Sequence, residues 1–300
     1  MTKVSKKTWL TAKRLSTHLL TQIHSPDIEL NIDELFTSEP ESRGTPFFLG
    51  YYSPSGIKYA LKQYGVFDDL KKRGFENLKI VLNTSDPFQQ RLSIFFDKQD
   101  RDHLLVELVV RRKEFTLYSD FPSSVNGKNY EFLFVEWLCL QNPLKTFSSK
   151  CPVLPGQMYP GLGAGKVAFE LLFISAKRLR LAGLLAVPEY YHNAQMYSKK
   201  FYFVNPEYEG KRYAIERDLL INSELSAVSW AIEKNCVREN GKKFEWFASE
   251  VVLPIEDSIN KYIHTKEYRK RVEEAMQQYT YSFHSEKWDK IREKIRHHST

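Results

Sequence analysis

Apolar side chains follow the two-residue period of a β-strand most clearly over residues 130–141. Phe132 and Phe134 share one face of this segment, and Leu133 and Val135 share the other. A strand that is apolar on both faces belongs in the middle of a sheet whose two sides are covered. The segment therefore predicts the central strand of an α/β fold with a mixed sheet.

Shorter segments of regular pattern precede this strand. A helix is predicted from Ser53 to Gly74, because Pro54 suits a first-turn position and glycine suits a helix end. Three strand candidates rich in β-branched and aromatic residues come next, and the turn residues between them predict an antiparallel meander. These candidates are Leu78–Leu82, Gln90–Phe96 and Leu104–Arg111.

Helical and strand patterns alternate after the central strand. A loop rich in Pro and Gly is followed by a helix, a buried strand, a second helix and a short strand. This order is typical of βαβ units. The segments are the loop Asn142–Pro160, the helices Lys166–Arg180 and His192–Lys200, and the strands Gly183–Val187 and Phe201–Val204.

The two ends of the chain predict helical additions to this core. The first 24 residues are basic, hydroxylated and apolar without an acid, which favours a helix on the body and leaves a mitochondrial transit peptide as the alternative. A polar connector is expected from Ser25 to Thr45. Asn222 is expected to cap a helix, Asn240-Gly241 to turn a hairpin, and the chain from Pro254 onward to be mainly helical.

Composition supports a globular chain of three consecutive regions. The 300 residues are 42% hydrophobic and 14% aromatic, which excludes collagen-like and wholly disordered proteins. No stretch approaches the ~18 apolar residues of a membrane-spanning helix, so we expect a soluble protein. The regions are an N-terminal helical and extended segment (1–75), an α/β core (76–210), and C-terminal helices with a hairpin (211–300).

Charge and cysteine content narrow the expected partners. The net charge of +7 comes from 44 basic against 37 acidic residues without a polybasic tail, so nucleic acid is not the expected partner. Cys139, Cys151 and Cys236 are odd in number and show no metal-ligand spacing. We therefore expect a cytoplasmic protein without a metal site or a membrane partner.

Three alternating glycines form the sharpest candidate for a binding site. The glycine loop, Gly161-Leu162-Gly163-Ala164-Gly165-Lys166, comes directly before a predicted helix. Amide groups at a helix start have no partner within the helix, and together with the helix dipole they favour a diphosphate. The spacing is one residue short of a Walker loop, and the long connection from the central strand departs from the dinucleotide fingerprint. A hinge without a ligand is the alternative.

The motifs that follow the glycine loop complete a family pattern. A helix comes next, then the strand Gly183-Leu-Leu-Ala-Val187, then Asn193-Ala-Gln-Met-Tyr197-Ser-Lys-Lys-Phe201. Residues 78–210 resemble in this respect the core of the GNAT-type N-acyltransferase superfamily. In that family a glycine loop binds the diphosphate of acyl-CoA, and the next strand separates from its neighbour to admit the pantetheine. The resemblance implies acetyl-CoA or another acyl-CoA as substrate and a small-molecule or protein amine as acceptor.

The resemblance also implies roles for individual residues. Glu136 lies on the strand before the glycine loop, where many such enzymes place a general base. Tyr197 matches a tyrosine that protonates the departing CoA thiolate. His192 lies just past a strand end, beside Glu189, and is a second candidate base. An ion pair for Glu136, core packing for Tyr197 and a structural hydrogen bond for His192 are the alternative roles.

Departures from the family pattern define the alternative function. Met158 stands where the family has Gln or Arg three residues before the first glycine, and Phe201-Tyr202-Phe203 replaces its Gly-Phe end. The alternative to an acyltransferase is therefore a non-catalytic binding or scaffold protein that keeps the fold but has lost cofactor binding. A different phosphate-bearing ligand in the same loop is a third interpretation.

Overall fold

Helices and strands alternate along the computed structural model, which describes residues 4–22, 47–86, 88–246 and 248–297. The expected connector Ser25–Thr45 lies outside the described residues. The helices are Lys6–Arg14 (α1), Thr17–Thr21 (α2), Pro54–Gln63 (α3), Val66–Lys72 (α4), Gly165–Arg178 (α5), Tyr191–Tyr197 (α6), Pro206–Asp218 (α7), Leu225–Glu233 (α8), Asp257–Ile263 (α9), Lys266–Gln278 (α10) and Ser285–His297 (α11). The strands are Lys79–Asn83 (β1), Gln90–Phe95 (β2), Leu104–Leu117 (β3), Lys128–Leu140 (β4), Gly183–Ala186 (β5), Tyr202–Phe203 (β6), Val237–Glu239 (β7), Lys242–Lys243 (β8), Val251–Pro254 (β9) and Tyr281–Phe283 (β10).

Seven strands form one mixed sheet in the order β1-β2-β3-β4-β5-β9-β6. Strands β1, β2 and β3 pair antiparallel, which confirms the predicted meander. Strand β9 pairs antiparallel with both β5 and β6. The predicted α/β class and the central place of β4 are therefore confirmed.

The long strand β4 is buried in its middle and exposed near its carboxyl end. Phe132 and Leu133 are fully buried, as the two apolar faces predicted. Trp137 is 46% exposed, however, so the expected cover on both faces does not extend over the whole strand. The apolar alternation of β4 thus extends to residues near its carboxyl end that no neighbouring element in the described structure fully covers.

Contacts between Cα atoms divide the chain into two compact units that are discontinuous in sequence. The first unit contains the described residues up to Lys113, Phe132–Leu144 and Gly161–Leu181, and the second contains Glu114–Glu131, Lys145–Pro160 and the described residues from Ala182 onward. The three consecutive regions expected from the sequence stay a prediction.

The N-terminal helix α1 forms as expected and lies against α5 in the first unit. The Thr8 hydroxyl donates to the buried carboxylate of Glu170 at 2.7 Å. The Arg178 guanidinium donates to the backbone oxygen of Leu15 at 2.9 Å. Two polar contacts at opposite ends of α1 thus fix this helix on the unit.

Two of the predicted helix boundaries are wrong. The helix expected from Ser53 to Gly74 is broken into α3 and α4 at Gly65, whose φ of 76° leaves the helical region. Helix α8 starts after Glu224 and not after Asn222, since Leu220–Asn222 forms a separate 3₁₀ turn. In the first case a left-handed residue divides the helix, and in the second the residue expected to cap the helix belongs to the preceding 3₁₀ turn.

The second unit holds three elements that the sequence interpretation missed, namely α7, β9 and β10. The side chain of Asn205 caps α7 by accepting from the Glu207 amide at 2.9 Å, and Pro206 takes the first turn. The hairpin around Asn240-Gly241 is confirmed, with β7 and β8 antiparallel. None of the described helices has the length and apolar character needed to cross a bilayer.

Helix α7 packs closely on α10 through Gly210. A Cβ atom at Gly210 would lie 2.5 Å from the Ala275 Cβ and 2.5 Å from the Val272 backbone oxygen. We expect Gly210→Ala to destabilise the protein by about 2 kcal/mol, because the overlap outweighs the better helix propensity of alanine. Gly165→Ala is the matched control, since a Cβ there meets nothing within 4 Å. Equal urea midpoints for the two variants would contradict this packing.

Candidate functional site

The glycine loop is attached to the end of β4 by backbone contacts. Gln141 and Gly161 form an antiparallel bridge, and the Leu162 amide donates to the Leu140 oxygen at 2.9 Å. Residues 142–160 therefore form an excursion that returns to the point where it left the strand. The connection between β4 and the glycine loop is longer than in the dinucleotide fingerprint. Its two ends nevertheless contact each other through the backbone.

Amide groups at the start of α5 have no acceptor within the described part of the chain. The first helical bond runs from the Ala168 amide to the Ala164 oxygen at 3.0 Å, and no described residue accepts from the amides of residues 163–167. Gly163 has a φ of 73°, a conformation that favours glycine. The Leu162 amide is already bonded to Leu140 and is not available to a ligand. The five consecutive amides of residues 163–167 are available to an anion.

Arg73 adds a cation to this loop that sequence reasoning did not find. Its guanidinium donates to the Leu162 backbone oxygen, and its Nη1 atom lies 3.4 Å from the ideal Cβ position of Gly163. Asp69 holds the same guanidinium at 2.9 Å. The Lys166 side chain is exposed beside the loop. Arg73 lies 89 residues before Leu162 in the chain, so only the fold brings them together.

Glu136, the predicted base, lies on β4 with both carboxylate oxygens engaged. One oxygen pairs with Arg111 Nε at 2.8 Å, and the other accepts from Gln89 at 2.7 Å. The Arg111 guanidinium lies over the Phe134 ring, 5.3 Å from its centre. This environment corresponds to the ion-pair role that the sequence left open, although it does not test catalysis.

Helix α6 carries the other two predicted residues. Burial raises the pKa of Tyr197, so its hydroxyl keeps its proton at neutral pH. His192 is 3% exposed and stacks on Tyr190 with ring centres 5.3 Å apart. Burial lowers the pKa of His192 to about 4, and its Nδ1 atom has no hydrogen-bond partner among the described residues. His192 is therefore neutral at physiological pH.

The predicted residues fall into separate groups. The glycine loop and Glu136 belong to the first unit, whereas His192 and Tyr197 belong to the second. Within the first unit the fold joins the glycine loop to Arg73. No group of three or more His, Cys, Asp or Glu side chains suited to a metal ion occurs in the described residues. The arrangement can thus bind an anion at the glycine loop and present a protonated tyrosine on α6.

Comparison of the chain with protein-family models, curated proteins and solved structures found no match.

The buried neutral His192 predicts a pH-dependent loss of stability. The unfolded chain takes up a proton below about pH 6.5, whereas the folded protein does so only near pH 4. The contribution of His192 to stability is therefore full above pH 6.5 and declines by roughly 3 kcal/mol as the pH falls to about 4.

Replacement of the histidine isolates this effect. We expect His192→Phe to lose about 3 kcal/mol less unfolding free energy than the parent between pH 7 and pH 4, because phenylalanine keeps the stacking ring and takes no proton. The measurement is urea unfolding at several pH values. The exposed His18→Gln variant serves as control, and an unchanged pH profile for His192→Phe would contradict the assignment.

Proposed function

We propose that this chain is an acyltransferase that moves an acyl group from acyl-CoA to an amine. The observation that carries the proposal is the row of unbonded amides from Gly163 to Val167, beside Arg73, at the end of β4. Amides at a helix N-terminus and a guanidinium both favour a diphosphate group. Acyl-CoA contains such a group and supplies the reactive thioester.

The succession of elements supports the same interpretation. Strand β4, the glycine loop, helix α5 and strand β5 follow one another along the chain. This succession is the one that the family resemblance implies. The connection between β4 and the glycine loop is unusually long. The bridge between Gln141 and Gly161 nevertheless keeps the end of the strand and the start of the loop adjacent, as in a short connection.

The residues of the chain take distinct roles in this proposal. Backbone amides of the glycine loop, Arg73 and Lys166 bind the diphosphate. Tyr197 keeps a proton at neutral pH and donates it to the departing thiolate. Glu136 accepts the amine proton after exchanging its contact with Gln89 for the substrate. His192 is the weaker candidate, since a base with a pKa of about 4 holds a proton poorly at neutral pH.

One observation favours the alternative, a non-catalytic relative that keeps the fold. Both oxygens of Glu136 already have partners in Arg111 and Gln89, as expected for a structural ion pair. The relative expected from the sequence has also lost cofactor binding and would show no shift with CoA compounds, whereas a relative that has lost only the base would bind them without transferring the acyl group. Binding of CoA compounds and transfer of the acyl group must therefore be measured separately.

The first test measures the binding of acetyl-CoA and of longer acyl-CoA compounds. The readout is the shift in the thermal unfolding of the protein. Ligand at ~100 times its dissociation constant should stabilise the protein by about 2.7 kcal/mol. Gly165→Ala should bind at least tenfold more weakly at unchanged stability. Its Cβ meets nothing in the free protein, and a helical Cβ tilts toward the N-terminus, which is the end where the diphosphate would bind. Arg73→Gln should also bind about tenfold more weakly, through the loss of a charge-assisted contact.

Lys71→Gln is the matched control for Arg73→Gln, since it removes an exposed charge two residues away, at the end of α4. Absence of a shift with every CoA compound would overturn the proposal. A shift with CoA but no acyl transfer to any amine would support a relative that has lost only the base. Acyl transfer that Glu136→Gln abolishes without loss of binding would support the assigned base.

A further inference from the structure

The second unit contains a cavity that the proposed function does not use. Its volume is about 260 Å³, which suits a ligand of roughly ten non-hydrogen atoms. Three carboxylates and three aromatic rings supply its chemistry. They belong to Glu189, Glu233, Glu245, Tyr190, Tyr191 and Trp246.

The charge of this cavity is opposite to that of the protein. The chain carries a net charge of +7, yet the cavity lining includes three carboxylates and no Lys, Arg or His. Glu189 and Glu233 form no ion pair with any described residue. Burial raises the pKa of the Tyr190 hydroxyl, and the charges of both carboxylates raise it further, so their fields meet at this point of the lining. Glu245 is the exception, since it pairs with Lys243 at the surface.

The aromatic rings are held in place by their own contacts. The indole N–H of Trp246 donates to the Pro188 backbone oxygen at 3.2 Å. The Trp246 ring meets the Tyr191 ring edge to face, with centres 5.6 Å apart. Aromatic faces attract cations, and tryptophan does so most strongly. The Tyr191 hydroxyl, on a residue only 1% exposed, also lacks a hydrogen-bond partner within the described part of the chain.

We propose that this cavity binds an organic ammonium ion, specifically a linear aliphatic diamine or triamine. The unpaired carboxylates of Glu189 and Glu233 bind the ammonium groups, and the rings of Tyr190 and Trp246 contact the alkyl chain and its charged ends. A divalent metal ion such as Mg²⁺ gives up its water shell reluctantly, so it contacts the rings less closely than an alkylammonium group does. An anion would meet three carboxylates. This site stands independently of the diphosphate site at the glycine loop.

The test uses spermidine and 1,4-diaminobutane as probes, with binding measured by calorimetry on the full chain without any CoA compound. We expect saturable binding of both amines and none of 1,4-butanediol, which has a similar length without charge. The double variant Glu189→Gln/Glu233→Gln should bind about tenfold more weakly, because two partly exposed ion pairs are lost. Both side chains are exposed, so the variant should fold normally.

The control is Glu76→Gln/Glu273→Gln, which changes the net charge by the same amount at exposed positions outside the cavity. This control should bind spermidine like the parent protein. Mg²⁺ at equal charge concentration should not displace the amine. Absence of amine binding, equal weakening in both double variants, or displacement by Mg²⁺ would each overturn the proposal.

Discussion

The backbone bond from Leu162 to Leu140 determines what the rest of this site can do. It returns the chain to the end of β4 after the excursion over residues 142–160, and the bridge between Gln141 and Gly161 continues the contact. Helix α5 consequently begins beside the strand end, and no residue that the structure describes accepts from the amides of residues 163–167. Without this closure the glycine loop would be one part of a long connection, and no fixed anion site would exist there. Arg73 reinforces the arrangement, because it binds the oxygen of the same Leu162 whose amide makes the closing bond.

Local patterns predicted the elements that local chemistry determines. The strand at residues 130–141, the meander before it and the hairpin at Asn240-Gly241 depend on side-chain alternation and turn residues, both of which are visible in sequence. Helix α7 also had a visible signal, Asn205 followed by Pro206, that the interpretation overlooked. Strand β9 had a weaker signal, because it is only four residues long and its last residue is Pro254. Its place between β5 and β6 arises from pairing across distant parts of the chain.

Functional residues divide in the same way. The glycine loop could be found because three glycines before a helical pattern are a local signal, and its last two residues begin α5. Arg73 could not be found, since nothing in the sequence around the end of α4 indicates contact with Leu162. The partners of Glu136 were equally invisible, because Arg111 and Gln89 reach it from other strands and turns. The acidic cavity is lined by residues at the start of α6, by residues of α8 and by the loop before β9. These segments are far apart in the sequence, and among the lining residues only Glu189 was singled out from the sequence.

The central claim is that the free amides of the glycine loop bind a diphosphate, and an NMR titration tests it most directly. Selective ¹⁵N-glycine labelling gives at most 13 amide signals, which Gly→Ala variants can assign. On addition of CoA, the Gly163 and Gly165 signals should move downfield together along one saturation curve, since new hydrogen bonds to phosphate deshield these protons. The Gly210 and Gly241 signals should stay in place. Saturating CoA that leaves Gly163 and Gly165 unchanged would contradict the account.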